Sequence, residues 1–219
     1  MCSCRKYLLF LRQKINRNMD YTIENKIFKK MKQNRRGKIF FAKDFTALGN
    51  YKACGKALER LANDGKIMRV SRGIYAIPKK STLFGTLTPS VEDVVQAIIK
   101  RDNAKIIPTG LFAENLLGLS TQVPMKIVYL TDGSPRKLMI DKVPVIFKKT
   151  APRNLASKGK ISTLAIQALK SIRKERVTDY EIEKIVAHLK RENPNYLVHD
   201  IQYAPQWIQE IMRKAQTNE

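Results

Sequence analysis

The sequence has few of the residues that build metal centres and disulfide frameworks. Its 219 residues include three cysteines and two histidines. Cys2 and Cys4 stand near the start, Cys54 is distant from both, and His188 and His199 lie far down the chain. None of these spacings is typical of a zinc site or of a set of disulfides. We therefore predict no metal, no cofactor and a reducing, cytoplasmic setting.

Long apolar runs are also missing. The longest near the start is the five-residue core of "RKYLLFLRQK", whereas a signal peptide needs about 7–15 apolar residues. A membrane span needs about 20. We therefore predict no membrane partner. We interpret residues 1–18 as a basic arm, which is either disordered or precedes a true start at Met19.

Acidic residues are the third shortage, with 19 Asp and Glu against 42 Lys and Arg, a net charge of +23. The excess is uneven, because residues 1–85 hold 21 basic and 5 acidic residues while residues 86–219 hold 21 and 14. Such an excess favours a polyanionic partner, nucleic acid ahead of membrane. Its position predicts that the anion-binding surface lies in the first 85 residues. A generic solubility charge is the alternative.

Residues 19–80 have the pattern of three helices followed by a hairpin. Ile23, Ile27 and Met31 recur at helical spacing, and a second short helix ends at Gly49. A third helix follows Asn50, and "KIMRV", "SRG" and "IYAIP" then form two strands and a turn. This order predicts a winged helix-turn-helix domain.

The third helix and the hairpin carry the predicted DNA contacts. Residues four apart lie on one face of a helix, so the cations of the third helix form a stripe. A solvated basic face is the simpler interpretation of such a stripe. In a winged helix, however, the third helix enters the major groove and the hairpin contacts phosphate. The predicted contacts are Asn50, Tyr51, Lys52, Lys56 and Arg60 on the helix and Arg69 and Arg72 on the hairpin.

The rest of the chain predicts a second domain. Residues 81–87 are interpreted as a linker, and residues 88–219 alternate helical and strand patterns before an all-helical tail. The predicted fold class is therefore α+β, with a winged helix-turn-helix domain followed by a mixed α/β C-terminal domain that ends in helices.

Two long stretches of this second domain resemble a known family. The runs "RDNAKIIPTGLFAENLLGLSTQVPMKIVYLTDGSPRKLMI" and "PVIFKKTAPRNLA" are similar to the AbiEi family of antitoxins from type IV toxin–antitoxin systems. With the winged helix ahead of them, the resemblance covers roughly residues 20–205. Residues 1–18 lie outside it.

The resemblance implies a repressor that binds inverted repeats in its own double-stranded promoter DNA. It also implies a C-terminal antitoxin domain that opposes a nucleotidyltransferase-type toxin without a stable complex. A basic surface on that domain is implied for antitoxicity, although the same cations are equally interpreted as solvated hairpin ends. We assign this surface by charge and position to Arg136, Lys137, Lys148, Lys149 and Arg153.

No common catalytic motif stands in the chain, so we predict that it is not an enzyme. The alternative is a metal-dependent nuclease or a nucleic-acid-binding derivative of one. Its candidate residues are Asp132, Asp141, Lys142, Lys148 and Lys149, because such an enzyme needs carboxylates that converge on a cation. Asp132-Gly133 and Asp141 are more simply interpreted as hairpin turns.

Overall fold

The computed structural model describes residues 22–34, 37–83 and 85–216 and has an α+β fold, which confirms the predicted class. The chain divides into two compact units between Ala97 and Ile98. The predicted arm at residues 1–18 and the alternative start at Met19 lie outside the described residues. Among the residues described, no helix combines the length and apolar character that crossing a membrane requires.

The first unit follows the predicted order of elements, with one strand added ahead of the second helix. That second helix is a 3-10 helix at Ala42–Leu48. The remaining elements are α1 (Ile23–Lys32), β1 (Ile39–Phe41), α2 (Tyr51–Asn63), β2 (Met68–Ser71) and β3 (Ile74–Ala76). The three strands form an antiparallel sheet in the order β1-β3-β2.

The apolar residues that predict the helices of this unit form its core. Ile27 and Met31 of α1 are fully buried, and they share one cluster with Phe45, Leu58 and Leu61. Close packing also explains Gly49, since a Cβ at this position would stand 2.8 Å from Cδ1 of Ile23. A glycine here lets the loop pass directly against α1.

The segment predicted as a linker differs from a plain coil. It forms, together with the two residues before it, a two-stranded antiparallel ribbon of β4 (Lys79–Ser81) and β5 (Gly85–Leu87). Gly85 has φ +68°, and the Ser81 hydroxyl accepts a hydrogen bond from the backbone N–H of Leu83 at 3.3 Å. Glycine and serine suggested a loop, whereas here they close a turn between two short strands.

The second unit combines a four-stranded sheet with a helical bundle. Its strands are β6 (Ile106–Thr109), β7 (Ile127–Thr131), β8 (Arg136–Ile140) and β9 (Val143–Lys149). They form a sheet in the order β6-β7-β9-β8, in which β7 and β9 are parallel and the other pairs are antiparallel. A 3-10 helix at Pro152–Leu155 joins the sheet to the bundle. The α-helices after the ribbon are α3 (Val91–Asp102), which spans the division between units, α4 (Leu111–Leu116), α5 (Lys160–Ile172), α6 (Asp179–Leu189), α7 (Pro194–Ile201) and α8 (Gln206–Arg213).

The sheet corrects one predicted turn and confirms the other. Asp132-Gly133 is not a hairpin turn, because β9 lies between β7 and β8 and the chain must cross over it. The Asp132 carboxylate instead accepts a hydrogen bond from the backbone N–H of Lys105 at 2.8 Å. Asp141 and Lys142 do form the two-residue turn between β8 and β9, and both have positive φ, as a type I′ turn requires.

Candidate nucleic-acid interface

Helix α2 presents its three predicted cations together on its exposed side. Lys52, Lys56 and Arg60 are all exposed, while Cys54, Ala57, Leu58 and Leu61 of the same helix are buried. At 100° per residue the exposed stripe and the buried face point in nearly opposite directions. Within the part of the chain that the structure describes, none of the three side chains makes an ion pair or a hydrogen bond.

The start of α2 is fixed by Asn50. Its Oδ1 accepts a hydrogen bond from the backbone N–H of Ala53 at 2.7 Å, which is the standard N-cap geometry. The structure therefore gives this predicted DNA contact a role in positioning the helix. Tyr51, the first residue of the helix, is 59% exposed and packs little against the core.

The hairpin carries the other two predicted cations at and beside its tip. Arg72 lies in the two-residue loop with Gly73, whose φ of +73° gives the tight turn. Arg69 pairs across the hairpin with Tyr75, and the register then shifts by one residue before Ser71 pairs with Ile74. Arg69 is exposed, and so is Arg72.

Tyr75 connects the hairpin with the helix. Burial raises the pKa of its phenol, Arg69 opposes that rise, and Glu59 and Tyr51 of α2 add to it. Tyr75 is buried in one apolar cluster with Leu58 and Leu61 of α2, so the hairpin packs against this helix. We call the exposed cations of the helix and of the hairpin together the helix–hairpin face: Lys52, Lys56, Arg60, Arg69 and Arg72.

The predicted basic surface of the second unit is only partly assembled. Arg136 pairs with Phe147 across the sheet and Lys137 with Ile146, so these residues and Lys148 and Lys149 lie at one end of β8 and β9. They line a cleft of about 470 Å³ there. Side chains alternate between the faces of a sheet, so Lys137 and Lys148 share one face and Arg136 and Lys149 the other.

Arg136 is not an available cation of that surface. Its guanidinium donates to the Asp102 carboxylate, which also accepts from Arg101 at 2.7 Å, and its Cζ stands 5.7 Å from the centre of the Phe147 ring. The bond from Arg101 lowers the pKa of Asp102 most, burial opposes this, and the bond from Arg136 lowers it further. Arg136 thus holds the end of α3 against the sheet edge.

The face that carries Lys137 and Lys148 is open. Val128, Leu130 and Ile146 of this face are only half-buried. Beside it a groove of about 1050 Å³ is bounded by the loop before β7, where Val123 is 84% and Met125 91% exposed. Lys126 lines this groove together with Lys148. Lys126 was not among the predicted residues, because only the parallel pairing of β7 with β9 brings the two lysines to one groove.

Arg153 lies apart from the sheet surface, in the second 3-10 helix. It lines a narrow cleft with Lys170 of α5, a residue that the sequence analysis did not select. Lys170 remains exposed to solvent, yet burial of part of its side chain lowers its pKa, and the charge of Arg153 lowers it further. The two cations are 17 positions apart in the sequence, so no helical or strand periodicity could have paired them.

The carboxylates of the alternative nuclease set do not converge. Asp132 follows Thr131, which pairs with Lys149 at the end of β9, whereas Asp141 precedes the first residue of the same strand. The seven residues of β9 separate them by roughly 20 Å at the rise of a strand. Among the described residues, no three His, Cys, Asp or Glu side chains stand close enough to hold a metal ion.

The fold and this geometry define a two-unit α+β protein with an exposed basic helix–hairpin face on its first unit. The chain belongs to the DUF6088 family, a family of unknown function whose model matches residues 26–197. The match runs from within α1 into α7 and so includes both the helix–hairpin face and the sheet. No curated protein matches the chain.

Proposed function

We propose that the protein is a DNA-binding transcriptional repressor whose first unit is a winged helix-turn-helix domain. The observation that carries this proposal is the helix–hairpin face. It comprises five exposed cations, three on α2 and two on the hairpin that packs against this helix. The nearby Glu59 is the acidic residue of α2, so the face keeps a strong positive charge.

The geometry suits a specific mode of DNA binding. An α-helix fits the major groove, where Lys52 and Lys56 near the start of α2 would reach base edges and Arg60 would reach the backbone. Arg69 and Arg72 on the hairpin would neutralise phosphates and release condensed counterions. Tyr51 would pack its exposed ring against the sugar–phosphate backbone at the groove edge. Phosphate contacts orient the protein, and base contacts select the sequence.

The target that we propose is the protein's own promoter, with inverted repeats, and the second unit is proposed as an antitoxin against a nucleotidyltransferase-type toxin. The similarity of its sequence to AbiEi antitoxins supports this role. Of the cations assigned to the antitoxin surface, Lys137 and Lys148 stand on the open sheet face, with Lys126 in the adjoining groove. We therefore assign the antitoxin surface to these three lysines. Arg136 is left out of it, because Asp102 neutralises its charge. No step of this function needs catalysis or a cofactor.

Binding to the upstream DNA of its own operon tests the proposal. In a gel shift with purified protein and magnesium, we expect the promoter to be bound in preference to scrambled DNA of equal length at two salt concentrations. The preference should persist at the higher salt, because base contacts depend less on salt than phosphate contacts do. Equal, salt-sensitive binding to both DNAs would reject sequence-specific repression, and strand cleavage would favour the nuclease alternative.

Arg72→Ala separates phosphate contacts from base contacts. We expect it to weaken binding to promoter and to scrambled DNA by the same factor, since the hairpin tip is assigned to phosphate. The plot of log affinity against log salt should become shallower by about 0.9, because the variant neutralises one phosphate fewer. Measurement of both affinities across a salt series checks this. A weakening confined to the promoter would instead assign Arg72 to base recognition.

A further inference from the structure

The cleft between the second 3-10 helix and α5 has the properties of a built anion site. Arg153 and Asn154 line one side of it, and Gln167 and Lys170 of α5 line the other. Ser157, Thr163, Ile166 and Tyr203 complete a lining that is part polar and part apolar. The space inside is only about 10 Å³, the room that one oxygen atom of a ligand needs.

Three side chains of this cleft, Arg153, Gln167 and Lys170, have no hydrogen-bond or ion-pair partner among the described residues, whereas Asn154 and Thr163 donate to Thr150 and Ser157. Gln167 is only 5% exposed, and its carboxamide is not sealed from solvent, since no buried side-chain nitrogen or oxygen of the described residues lacks a partner. The side chains of Arg153 and Lys170 have no ion-pair partner within residues 22–34, 37–83 and 85–216. Two cations that face one cleft without a carboxylate repel each other. A bound anion would remove this repulsion and could accept a hydrogen bond from the Gln167 amide.

We propose that this cleft binds a phosphate group, with one oxygen inside the cleft and the others at its mouth between Arg153 and Lys170. Arginine and lysine, with their guanidinium and ammonium groups, are typical phosphate-binding residues of proteins. The small volume excludes a base or a sugar from the interior, so recognition is limited to the phosphate. The proposal concerns the second unit and does not rest on DNA binding by the first.

Thermal unfolding in inorganic phosphate tests the site. At a constant ionic strength balanced with sodium chloride, we expect about 50 mM phosphate to raise the Tm of the second unit by about 3–5 °C. A rise of this size corresponds to a phosphate concentration about ten times the Kd of the site. Arg153→Ala and Lys170→Met should each abolish this rise. Without phosphate, both variants should be at least as stable as the wild type, because each removes one of two repelling charges.

Lys174→Met is the matched control, since Lys174 is exposed and does not line the cleft. Its response to phosphate should equal that of the wild type. A second measurement follows the ammonium itself: in NMR of methyl-labelled lysines, phosphate should raise the pH at which Lys170 titrates, because a neighbouring anion favours the charged form. A variant with a merely structural defect would not move this signal.

Two oligonucleotide arms distinguish the sources of the phosphate group. Short single strands with a 5′-phosphate or a 5′-hydroxyl are compared in the wild type and in Lys170→Met. A Tm rise that requires both the 5′-phosphate and Lys170 assigns the site to nucleic-acid ends, and a rise with inorganic phosphate alone assigns it to the free ion. If no phosphate species stabilises the wild type, or if the variants respond as the wild type does, the proposal is rejected.

Discussion

Reversing the charge of the α2 stripe is expected to lower affinity for promoter DNA by about a thousandfold. The variant combines Lys52→Glu, Lys56→Glu and Arg60→Glu, all at exposed positions outside the core. Removing one interaction with a base or phosphate costs about 1–3 kcal/mol, and about 4 kcal/mol corresponds to a thousandfold weaker affinity. The slope of log affinity against log salt should become shallower by at least about 0.9, since Arg60 is the cation of the stripe assigned to backbone phosphate.

A control with the same change in net charge isolates position from total charge. Lys174→Glu, Arg176→Glu and Lys190→Glu change three exposed cations of the second unit. If the stripe is the interface, this control should lose much less affinity than the stripe variant at physiological salt, where distant charges are largely screened. Equal decreases in the two variants would mean that net charge alone attracts DNA, and the helix–hairpin face would no longer be the proposed interface.

Asp200→Asn is expected to destabilise the second unit by about 3 kcal/mol, because a buried acceptor is removed. The Asp200 side chain is fully buried and ties the loop before α5 to α7. It accepts hydrogen bonds from the backbone N–H groups of Lys158 and Gly159 at 2.8 Å each, and from the Ser162 hydroxyl. His199 Nδ1 lies 2.8 Å from its Oδ1. An asparagine has one acceptor oxygen in place of two, so at least one of these buried donors loses its partner.

The position of Asp200 also explains how α5 begins. Gly159 is the N-cap of this helix and cannot cap with a side chain, so acceptors come from other elements. Glu192 accepts from the backbone N–H of Ile161 at 2.7 Å, beside the bonds to Asp200. A Cβ on Gly159 would stand 2.5 Å from Glu192 Oε2, so this residue must be glycine for the carboxylates to approach. Two negative groups also complement the positive end of the helix dipole.

The effect of Asp200 depends on pH in a direction that the contacts determine. Burial by itself raises the pKa of Asp200, but the bonds from Ser162, His199, Lys158 and Gly159 outweigh it and lower the pKa below the ordinary value. A carboxyl with a lowered pKa stabilises the folded state above the unfolded pKa of about 3.9. That stabilisation is lost as the pH falls through the folded pKa.

Urea denaturation of wild type and Asp200→Asn at several pH values checks both statements. The difference in the free energy of unfolding should be largest at neutral pH and should shrink below about pH 4. Asp179→Asn is the control, because Asp179 is an exposed residue of the first turn of α6, and we expect it to destabilise by less than about 0.5 kcal/mol. A constant difference across this range would show that the shape of the side chain matters more than its charge.

Local patterns in the sequence were sufficient for the helices and the hairpin of the first unit, but not for β1 or for the ribbon of β4 and β5. The spacing of Ile27 and Met31 predicts α1, Asn50 predicts the start of α2, and the residues around Gly73 predict the hairpin. These elements pack against neighbours in sequence, so short-range periodicity contains the information. The four-apart spacing of Lys52, Lys56 and Arg60 likewise predicts that they share one exposed side of α2.

Non-local pairing decided what the sequence analysis missed in the second unit. Strand β9 pairs in parallel with β7, which places it between β7 and β8 and separates Asp132 from Asp141. The same order turns Arg136 towards Asp102 and away from the face of Lys137. A parallel pair needs a crossover, and no local turn signal reveals which strand will be inserted.

The sequence by itself therefore determined the α+β class, the excess of positive charge in the first 85 residues and the cationic side of α2. Each of these features follows from composition or from a spacing of residues that repeats every few positions. Such features do not depend on the long-range contacts of the chain. Only the tertiary structure brought Arg153 to Lys170, Lys126 to Lys148, and Asp200 to the start of α5. These contacts join residues that are between 17 and 42 positions apart in the sequence. Burial and the order of the strands bring such residues together, and no local pattern encodes either of them.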